Sequence, residues 1–227
     1  MERGEIMFEK RLNLFAGHFG SGKTEVAVNY AIQMSQVYPK TAIADIDIVN
    51  PYFRTADAKK ELENRGIWVI LPMYANTNVD IPVLPAEMNA VFEKKEYKAV
   101  FDVGGDDIGA LALSRYREEI ASEDYEMFFV VNTRRPFTDT EEKIDEMARE
   151  IEYSSRLKIT GFVNNTNLLQ FTTLNDIIEG QRKIKAVADK YNVPIAITSG
   201  FFDDFKLEGT ILEGELLNLN KYIKLPF

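Results

Sequence analysis

The sequence predicts one three-layer α/β domain over residues 1–227, with a mainly parallel sheet flanked by helices. Short apolar runs alternate with longer amphipathic segments along the whole chain, which is typical of βαβ units. Runs such as Ala99–Phe101 and Phe128–Val131 are apolar throughout, as expected for parallel strands that are buried on both faces. No linker rich in glycine, serine or proline divides the chain, so a single domain is expected.

The elements follow from these patterns in chain order. Strands are predicted over Leu12–Ala16, Thr41–Ile46, Ile67–Leu71, Lys98–Val103, Met127–Val131, Lys158–Val163 and Val193–Thr198. Fourfold spacing of Val26, Tyr30 and Met34 predicts a helix after the first strand. Later helices are predicted over Pro82–Phe92, Ile108–Ile120, Thr138–Tyr153 and Thr172–Tyr191. The segment after Ser199 is less regular and has no predicted element.

The composition excludes several functional classes. There are 27 Lys and Arg against 36 Asp and Glu, a net charge of −9, which disfavours binding to nucleic acid or anionic lipid. The chain has no cysteine and one histidine, His18, so thiolate metal sites and disulfides are excluded. No apolar run approaches the roughly 20 residues that a membrane helix needs, and no signal peptide is evident. We expect a cytoplasmic protein without nucleic-acid or membrane partners.

The strongest motif lies between the first strand and the first helix. Residues 17–24, Gly-His-Phe-Gly-Ser-Gly-Lys-Thr, match GxxxxGK[ST], the phosphate loop (P-loop) of nucleotide-binding proteins. Its glycines allow backbone N–H groups to point inward at phosphate, and the following helix adds its positive dipole end. Lys23 can reach the β- and γ-phosphates, and the Thr24 hydroxyl can ligate Mg²⁺. The strand–helix context favours this interpretation over a simple glycine-rich turn. The predicted fold is therefore that of a P-loop NTPase.

Acidic residues stand at the ends of two predicted strands. Asp45 and Asp47 follow the second strand, and Asp102 ends the fourth after three apolar residues, as in a Walker B motif. A turn interpretation is open for each of them, but beside a P-loop they are candidates for Mg²⁺ and for water. Gly104 and Gly105 come next and could sense a γ-phosphate. Asp106 and Asp107 could share that role or cap the next helix.

Together these residues resemble the MinD/ParA/CobQ-CobB-like group of P-loop ATPases, of the SIMIBI class. Its switch I has a D-x-D loop, as at Asp45 and Asp47, and its switch II has D-x-x-G, as at Asp102 to Gly105. A later strand of that group ends in an asparagine that contacts adenine, and here Asn164 and Asn165 follow the Lys158–Val163 strand. The resemblance covers roughly residues 12–200.

The resemblance implies a role for each matching residue. The nucleotide, ATP, would be bound by Gly17, His18, Phe19, Gly20, Ser21, Gly22, Lys23, Thr24, Glu25 and Asn164. Mg²⁺ would be bound directly by Thr24 and indirectly, through its water ligands, by Asp45 and Asp102. Lys23 and Asp47 would be catalytic, with Asp47 orienting the attacking water. The alternative for Asn164 and Asn165 is a polar turn.

One position departs from the group. P-loops of the MinD/ParA group carry a signature lysine early in the loop, in K-G-G-x-G-K-T, which reaches the nucleotide of a dimer partner. His18 stands there, followed by Phe19. An unperturbed histidine is mostly neutral at pH 7, so it does not supply the same charge. The C-terminal membrane helix of MinD is also absent, since residues 213–227 carry little positive charge.

Three functions are compatible with these motifs. The first is Mg-ATP binding with slow hydrolysis, coupled to a switch that acts on a protein partner or in a homodimer. The second is an ATP-dependent biosynthetic ligase or kinase of the dethiobiotin-synthetase-like type, with Arg134 or Arg135 as an anion clamp. The third is a nucleotide-binding scaffold without hydrolysis. The aromatic loop Asn50–Arg54 is a candidate partner-facing patch.

Overall fold

The sheet is built around its first strand. The computed structural model describes residues 8–46, 55–72, 87–105, 107–207 and 209–223, and within them eight strands join in one parallel sheet. The strands are β1 (Leu12–Ala16), β2 (Thr41–Asp45), β3 (Trp68–Ile70), β4 (Lys98–Asp102), β5 (Tyr125–Val131), β6 (Gly161–Asn164), β7 (Ile195–Gly200) and β8 (Glu215–Asn218). Their order is β3-β2-β4-β1-β5-β6-β7-β8. All strand carboxyl ends therefore meet at one edge.

Helices cover both faces of the sheet. In the described residues they are α1 (Lys23–Val37), α2 (Lys59–Asn64), α3 (Glu87–Glu93), α4 (Asp107–Ser114), α5 (Arg117–Ala121), α6 (Glu141–Ser155) and α7 (Leu174–Tyr191). Apolar side chains of α1 and α2 form one core with the sheet, and those of α3 to α7 form the other. The predicted three-layer α/β fold is confirmed.

The middle strand shows why two cores are required. Side chains alternate along a strand, so Leu12 and Leu14 enter one core while Phe15 enters the other, against Tyr30 of α1. All three strand residues are fully buried. Burial of each such side chain contributes roughly 1.5–3 kcal/mol to folding. The apolar runs of the sequence thus fix a sheet with helices on both sides.

Several predicted boundaries differ from the structure. The helix predicted over Ile108–Ile120 is two helices, α4 and α5, because the chain tightens at Tyr116, whose N–H donates to the Leu113 carbonyl at 3.0 Å. The strand predicted from Lys158 begins at Gly161 instead. Directly before Gly161, a side chain bonds to β5, because the Thr160 hydroxyl accepts from the Met127 N–H at 2.8 Å. Residues 73–86, which include the start of the predicted Pro82–Phe92 helix, lie outside the described ranges.

The last strand, β8, was not predicted. It is four residues long and, among the described strands, pairs with β7 alone, so it is an edge strand, and one of its four side chains is buried. Leu217 is buried, and Leu216 is exposed. A short strand of this kind has too weak a hydrophobic pattern to stand out in the sequence.

The turn between β1 and α1 packs tightly against the neighbouring strands. A Cβ on Gly17 would lie 2.5 Å from the Val130 carbonyl oxygen of β5. Gly22 has a φ of 83°, and a Cβ there would lie 2.4 Å from the Asn165 amide nitrogen. Glycine is therefore required at both positions by close approach, and at Gly22 also by backbone conformation.

Gly22→Ala is expected to lower the free energy of unfolding by about 2–4 kcal/mol, through left-handed backbone strain and displacement of Asn165. Gly209→Ala is the matched control. Its φ is 77°, but no described atom lies within 4 Å of where its Cβ would stand, so it should lose only about 1–2 kcal/mol. Urea unfolding of both variants measures the difference. Equal losses would show that close packing at Gly22 contributes nothing.

Candidate nucleotide-binding site

The phosphate loop has the conformation that the motif predicts. The loop joins β1 to α1, and Gly20 and Gly22 have φ values of 78° and 83°. The Ser21 N–H donates to the His18 carbonyl at 3.0 Å, which closes the turn, and the Val26 N–H donates to Gly22 at 3.1 Å, which starts the helix. The N-terminus of a 15-residue helix thus opens at this loop. Such an end presents backbone N–H groups and a positive dipole to an anion.

Three polar side chains of the loop are buried at this helix end. Lys23 is 5% exposed and Thr24 is 6% exposed, although both carry polar groups. Ser21 is 1% exposed, and its hydroxyl has no hydrogen-bond partner within the described part of the chain. A buried hydroxyl without a partner is costly. A phosphate oxygen is an acceptor that would satisfy it, so this donor set fits a nucleotide phosphate.

The predicted metal residues lie at the same edge of the sheet. Asp45 and Asp102 end neighbouring strands in register with each other, and both are buried. The Thr55 hydroxyl donates to Asp102 at 3.2 Å. The Val103 N–H donates to the Phe15 carbonyl at 3.0 Å, which holds the end of β4 against β1. Asp47 lies outside the described residues.

The hydroxyl and carboxylate groups at this edge suit a cation that also takes phosphate oxygens as ligands. No group of three or more acidic or histidine side chains comes together in the ranges that the structure describes. A fully protein-bound metal cage is therefore not formed by these residues. Thr24 with two buried carboxylates instead suits Mg²⁺, which commonly keeps several waters and takes phosphate oxygens as ligands.

One of the two glycines predicted to form switch II, Gly105, lies close to the loop backbone. A Cβ on Gly105 would lie 2.6 Å from the Phe19 backbone nitrogen and 3.0 Å from the His18 carbonyl carbon. This segment therefore cannot move toward the loop unless the loop backbone also moves. Asp106 lies outside the described residues, and Asp107 is the first residue of α4.

A cavity of about 170 Å³ opens beside the loop. Residues 19–25 form one wall. The other walls come from the ends of β5 to β8, with Asn132, Arg135, Asn165, Asn167, Leu169, Phe201, Leu219, Lys221 and Ile223. Asp45 and Asp102 lie on the other side of β1, because β4 and β2 precede it in the sheet order. The site therefore has an acidic side and an amide-rich side, with the loop between them.

Asparagine side chains support the loop from the amide-rich side. The Asn165 amide donates to the Ser21 carbonyl at 2.7 Å, and its oxygen accepts from the Ser199 hydroxyl at 2.9 Å. The Asn167 amide donates to the Asn165 carbonyl at 3.0 Å. The Asn132 amide donates to the Asn167 carbonyl at 3.0 Å. These bonds connect the ends of β5, β6 and β7 to the loop.

Asn164 has a different orientation from its neighbour. It is fully buried, its amide donates to the Ile177 carbonyl of α7 at 3.0 Å, and its oxygen accepts from the Thr166 N–H at 3.2 Å. Gly180 of α7 leaves room for this turn, since a Cβ there would lie 2.2 Å from the Thr166 hydroxyl. The structure thus places Asn164 against a helix, and Asn165 at the cavity.

The two arginines after β5 also point in different directions, one toward α7 and one toward the cavity. Arg134 pairs with Asp176 and, at 2.9 Å, with Glu179, both on α7. Arg135 lines the cavity, with its guanidinium Nε 3.9 Å from where a Cβ of Gly20 would stand. Arg134 is therefore already held by two carboxylates, and Arg135 is the arginine that faces the loop.

His18 is held on the outer side of the loop. Its ring stacks on Phe137 with centroids 4.4 Å apart, and its Nδ1 lies 2.8 Å from the Phe19 carbonyl oxygen. A second cavity of about 480 Å³ opens there, between the loop, Gly104 and Gly105, and α6. Phe137 lines this second cavity and is 59% exposed, whereas Phe19 lines the first cavity and is 51% exposed.

Glu25 follows the loop and holds a distant segment. Its carboxylate accepts from the Tyr222 N–H at 2.7 Å and from the Ile223 N–H at 3.2 Å. Burial raises the pKa of this carboxyl, while the two N–H groups and the Lys221 charge act in the opposite direction. Glu25 lines the cavity, as predicted for a cofactor-binding residue, but its described bonds are to the chain itself.

Arg135 was among the predicted candidates, but the other cavity residues from the ends of β5, β7 and β8 were missed. Asn132 had a usable signal, because it is a polar residue directly after the apolar run of β5. Leu219, Lys221 and Ile223 had none, because their position depends on β8, whose hydrophobic pattern is weak. None of the helices in the described ranges is both long and apolar enough to cross a membrane.

Comparison with known proteins supports the fold. Neither a protein-family model nor a curated protein sequence matches the chain. Among solved structures, FtsY from Mycoplasma mycoides is 17% identical over 84% of this chain, with a TM-score of 0.51. Signal recognition particle 54 kDa protein from Aeropyrum pernix K1, in complex with GDP, is 15% identical over 85%, with a TM-score of 0.54. FtsY from Elizabethkingia anophelis, in complex with GDP, is 15% identical over 84%, with a TM-score of 0.52.

This chain spans 60%, 42% and 57% of those three proteins. The likeness therefore concerns one part of each of them. Together with the parallel sheet and the loop between β1 and α1, it supports a three-layer α/β fold of the kind found in P-loop NTPases.

Proposed function

We propose that the chain binds Mg-ATP and hydrolyses it slowly, as a MinD/ParA-like switch that acts on a protein partner or in a homodimer. The observation that carries the proposal is the loop itself. Lys23, Thr24 and the unpartnered Ser21 hydroxyl are buried at a helix N-terminus, beside the strand-end carboxylates of Asp45 and Asp102. Buried cationic and hydroxyl groups that converge on a helix end suit a polyphosphate.

Each residue has a defined task in this proposal. Backbone N–H groups of the loop and the Lys23 ammonium bind the β- and γ-phosphates. Thr24 would hold Mg²⁺ with the support of Asp45 and Asp102, and the ion would supply charge neutralisation on the phosphates. Asp47 orients the attacking water. Gly105 lies against the Phe19 backbone. If switch II moved when the γ-phosphate was lost, the phosphate loop would therefore have to move with it.

The base is proposed to be adenine, bound on the amide-rich side of the cavity. Asn165 and Asn167 line this side, and the Asn165 amide group carries a second N–H besides the one that donates to the Ser21 carbonyl. An amide offers a donor and an acceptor, which adenine requires. Guanine is commonly read by a carboxylate, and residues 164–167 contain none. Glu25 is a carboxylate at this cavity, but its oxygens accept the Tyr222 and Ile223 N–H groups. Guanine is the competing base, since two of the similar solved structures hold GDP.

A partner-facing surface supports the switch function. Phe137 is a large, exposed aromatic side chain that stacks on His18 at the outer side of the phosphate loop, and the exposed Phe19 follows His18 in the loop. Exposed aromatic groups are enriched where proteins bind one another. A partner at this position would contact the loop and switch II at once. The predicted aromatic patch over Asn50–Arg54 lies outside the described residues.

The alternative is an ATP-dependent ligase or kinase of the dethiobiotin-synthetase-like type. The second cavity favours it, because about 480 Å³ of space adjoins Gly17, His18 and Gly105, where an acceptor could meet the γ-phosphate. Arg134 does not serve that cavity as an anion clamp, since Asp176 and Glu179 bind it. Phosphate release without any added acceptor supports the switch. ATP binding with turnover only in the presence of an acceptor supports the alternative.

Lys23→Ala is expected to weaken Mg-ATP binding about tenfold to a hundredfold, because a charge-assisted contact to phosphate contributes roughly 1.5–3 kcal/mol. Calorimetric titration measures the affinity. Lys221→Ala is a useful comparison, because it removes a lysine from the same cavity but not from the loop. An unchanged affinity in Lys23→Ala would remove the loop from the binding site.

The base preference gives a second expected result. ATP should displace a labelled analogue at a concentration at least several-fold lower than GTP, because one mismatched buried hydrogen bond costs about 1–3 kcal/mol. Asn167→Ala should narrow that difference, whereas Asn164→Ala should leave it in place if the protein stays folded. Equal displacement by the two nucleotides, or stronger displacement by GTP, would contradict the adenine assignment.

Asp47→Asn and Asp102→Asn should separate chemistry from binding. Asp47→Asn is expected to keep ATP affinity and slow turnover about a hundredfold or more, since its proposed role is to position water. Asp102→Asn should instead reduce the Mg²⁺ dependence of binding. Phosphate release and affinity are measured over a Mg²⁺ series. If both variants lose binding alike, the two roles are assigned incorrectly.

A further inference from the structure

The segment after β8 returns across the sheet edge to α1. The Leu219 N–H extends the β7 ladder by donating to the Gly200 carbonyl at 2.8 Å. Beyond this point the segment runs over the α1 surface to Ile223. Leu219 and Ile223 are buried, Lys221 is exposed, and all three line the cavity beside the phosphate loop.

Two side chains of α1 hold this segment through its backbone. Asn29 makes a reciprocal pair with Asn220, with its amide donating to the Asn220 carbonyl and its oxygen accepting the Asn220 N–H, both at 2.8 Å. One turn earlier, Glu25 accepts the Tyr222 and Ile223 N–H groups at 2.7 and 3.2 Å. Three backbone N–H groups within four residues are thus satisfied by helix side chains. The segment is fixed by α1 and by apolar burial together.

The position of the segment in the cavity indicates which part of a bound nucleotide it would contact. Gly20 to Thr24 define the phosphate end of the cavity, and the metal carboxylates lie beyond β1 on β2 and β4. The segment is on the opposite side, with the ends of β6 and β7. A nucleotide whose γ-phosphate points to Asp45 and Asp102 would therefore extend its ribose and base toward residues 219–223.

We propose that Leu219–Ile223 is the nucleoside-binding wall of the cavity, and that Glu25 and Asn29 are positioning residues that hold it there. The inference rests on the proposed nucleotide binding. Leu219, Ile223 and Leu169 supply apolar surface for a planar base, and Lys221 supplies a cation at the rim. None of these groups is needed to bind the phosphates, which the loop binds with its own groups.

The test compares two ligands, Mg-ATP and Mg-tripolyphosphate, the second of which has no base or ribose. Glu25→Ala and Asn29→Ala should each weaken ATP binding at least about fivefold, because one net hydrogen bond or more is lost from the wall. Tripolyphosphate affinity should be unchanged in Asn29→Ala. Asn29 does not line the cavity, so its effect on ATP would act through the segment. Gln33→Ala is the matched control, one turn further along α1, with a single weak bond of 3.5 Å to Asn218.

Hydrogen–deuterium exchange of the wild-type chain gives a readout that needs no variant to fold. ATP should slow exchange of the amides at 219–223, and tripolyphosphate should not. Equal protection by both ligands, or equal loss of both affinities in the variants, would mean that the segment supports the loop and not the nucleoside, and would overturn the proposal. Unchanged ATP affinity in both variants would overturn it too. If the wild type binds neither ligand, the proposed nucleotide binding itself fails.

Discussion

The phosphate loop depends on the close approach of three backbone segments. Gly17 lies against the Val130 carbonyl, Gly22 lies against Asn165, and Gly105 lies against Phe19 and His18. A side chain at any of these positions would require one neighbour to move. The neighbouring segments therefore determine the conformation of the loop as much as its own dihedral angles do. The glycines are therefore packing requirements as well as turn residues, and they connect the loop to β5, β6 and switch II.

The sheet order divides the proposed chemistry between its two halves. β2 and β4 bring carboxylates to one side of β1, while β5 and β6 bring amides and an arginine to the other. Carboxylates suit a metal, and amides suit a base. Because the carboxylates are separated from the amides by the loop, the charged and neutral ends of a nucleotide would meet matching groups. The same separation keeps Glu25, on the amide side, engaged with backbone N–H groups.

The sequence predicted the parts of this site that local pattern determines. The loop motif, Asp45, Asp102 and the α/β layering follow from contiguous residues or from strand ends, and the structure has them in those places. Which of two adjacent asparagines faces the cavity depends on side-chain alternation at a strand end, and a shift of one residue exchanges Asn164 for Asn165. Similarly, the carboxylates that bind Arg134 come from α7, 42 residues later in the case of Asp176. Tertiary partners of this kind have no local signal.

The bond between Glu25 and the segment after β8 joins residues 197 positions apart. During synthesis a chain emerges from its amino-terminal side, so β1, the loop and α1 are made before β8 and the segment that follows it. The opposite wall of the cavity is therefore made only after the eight strands of the sheet. A contact between residues so far apart in sequence forms late compared with local contacts. A nascent chain would thus display an open phosphate loop before it has a closed pocket.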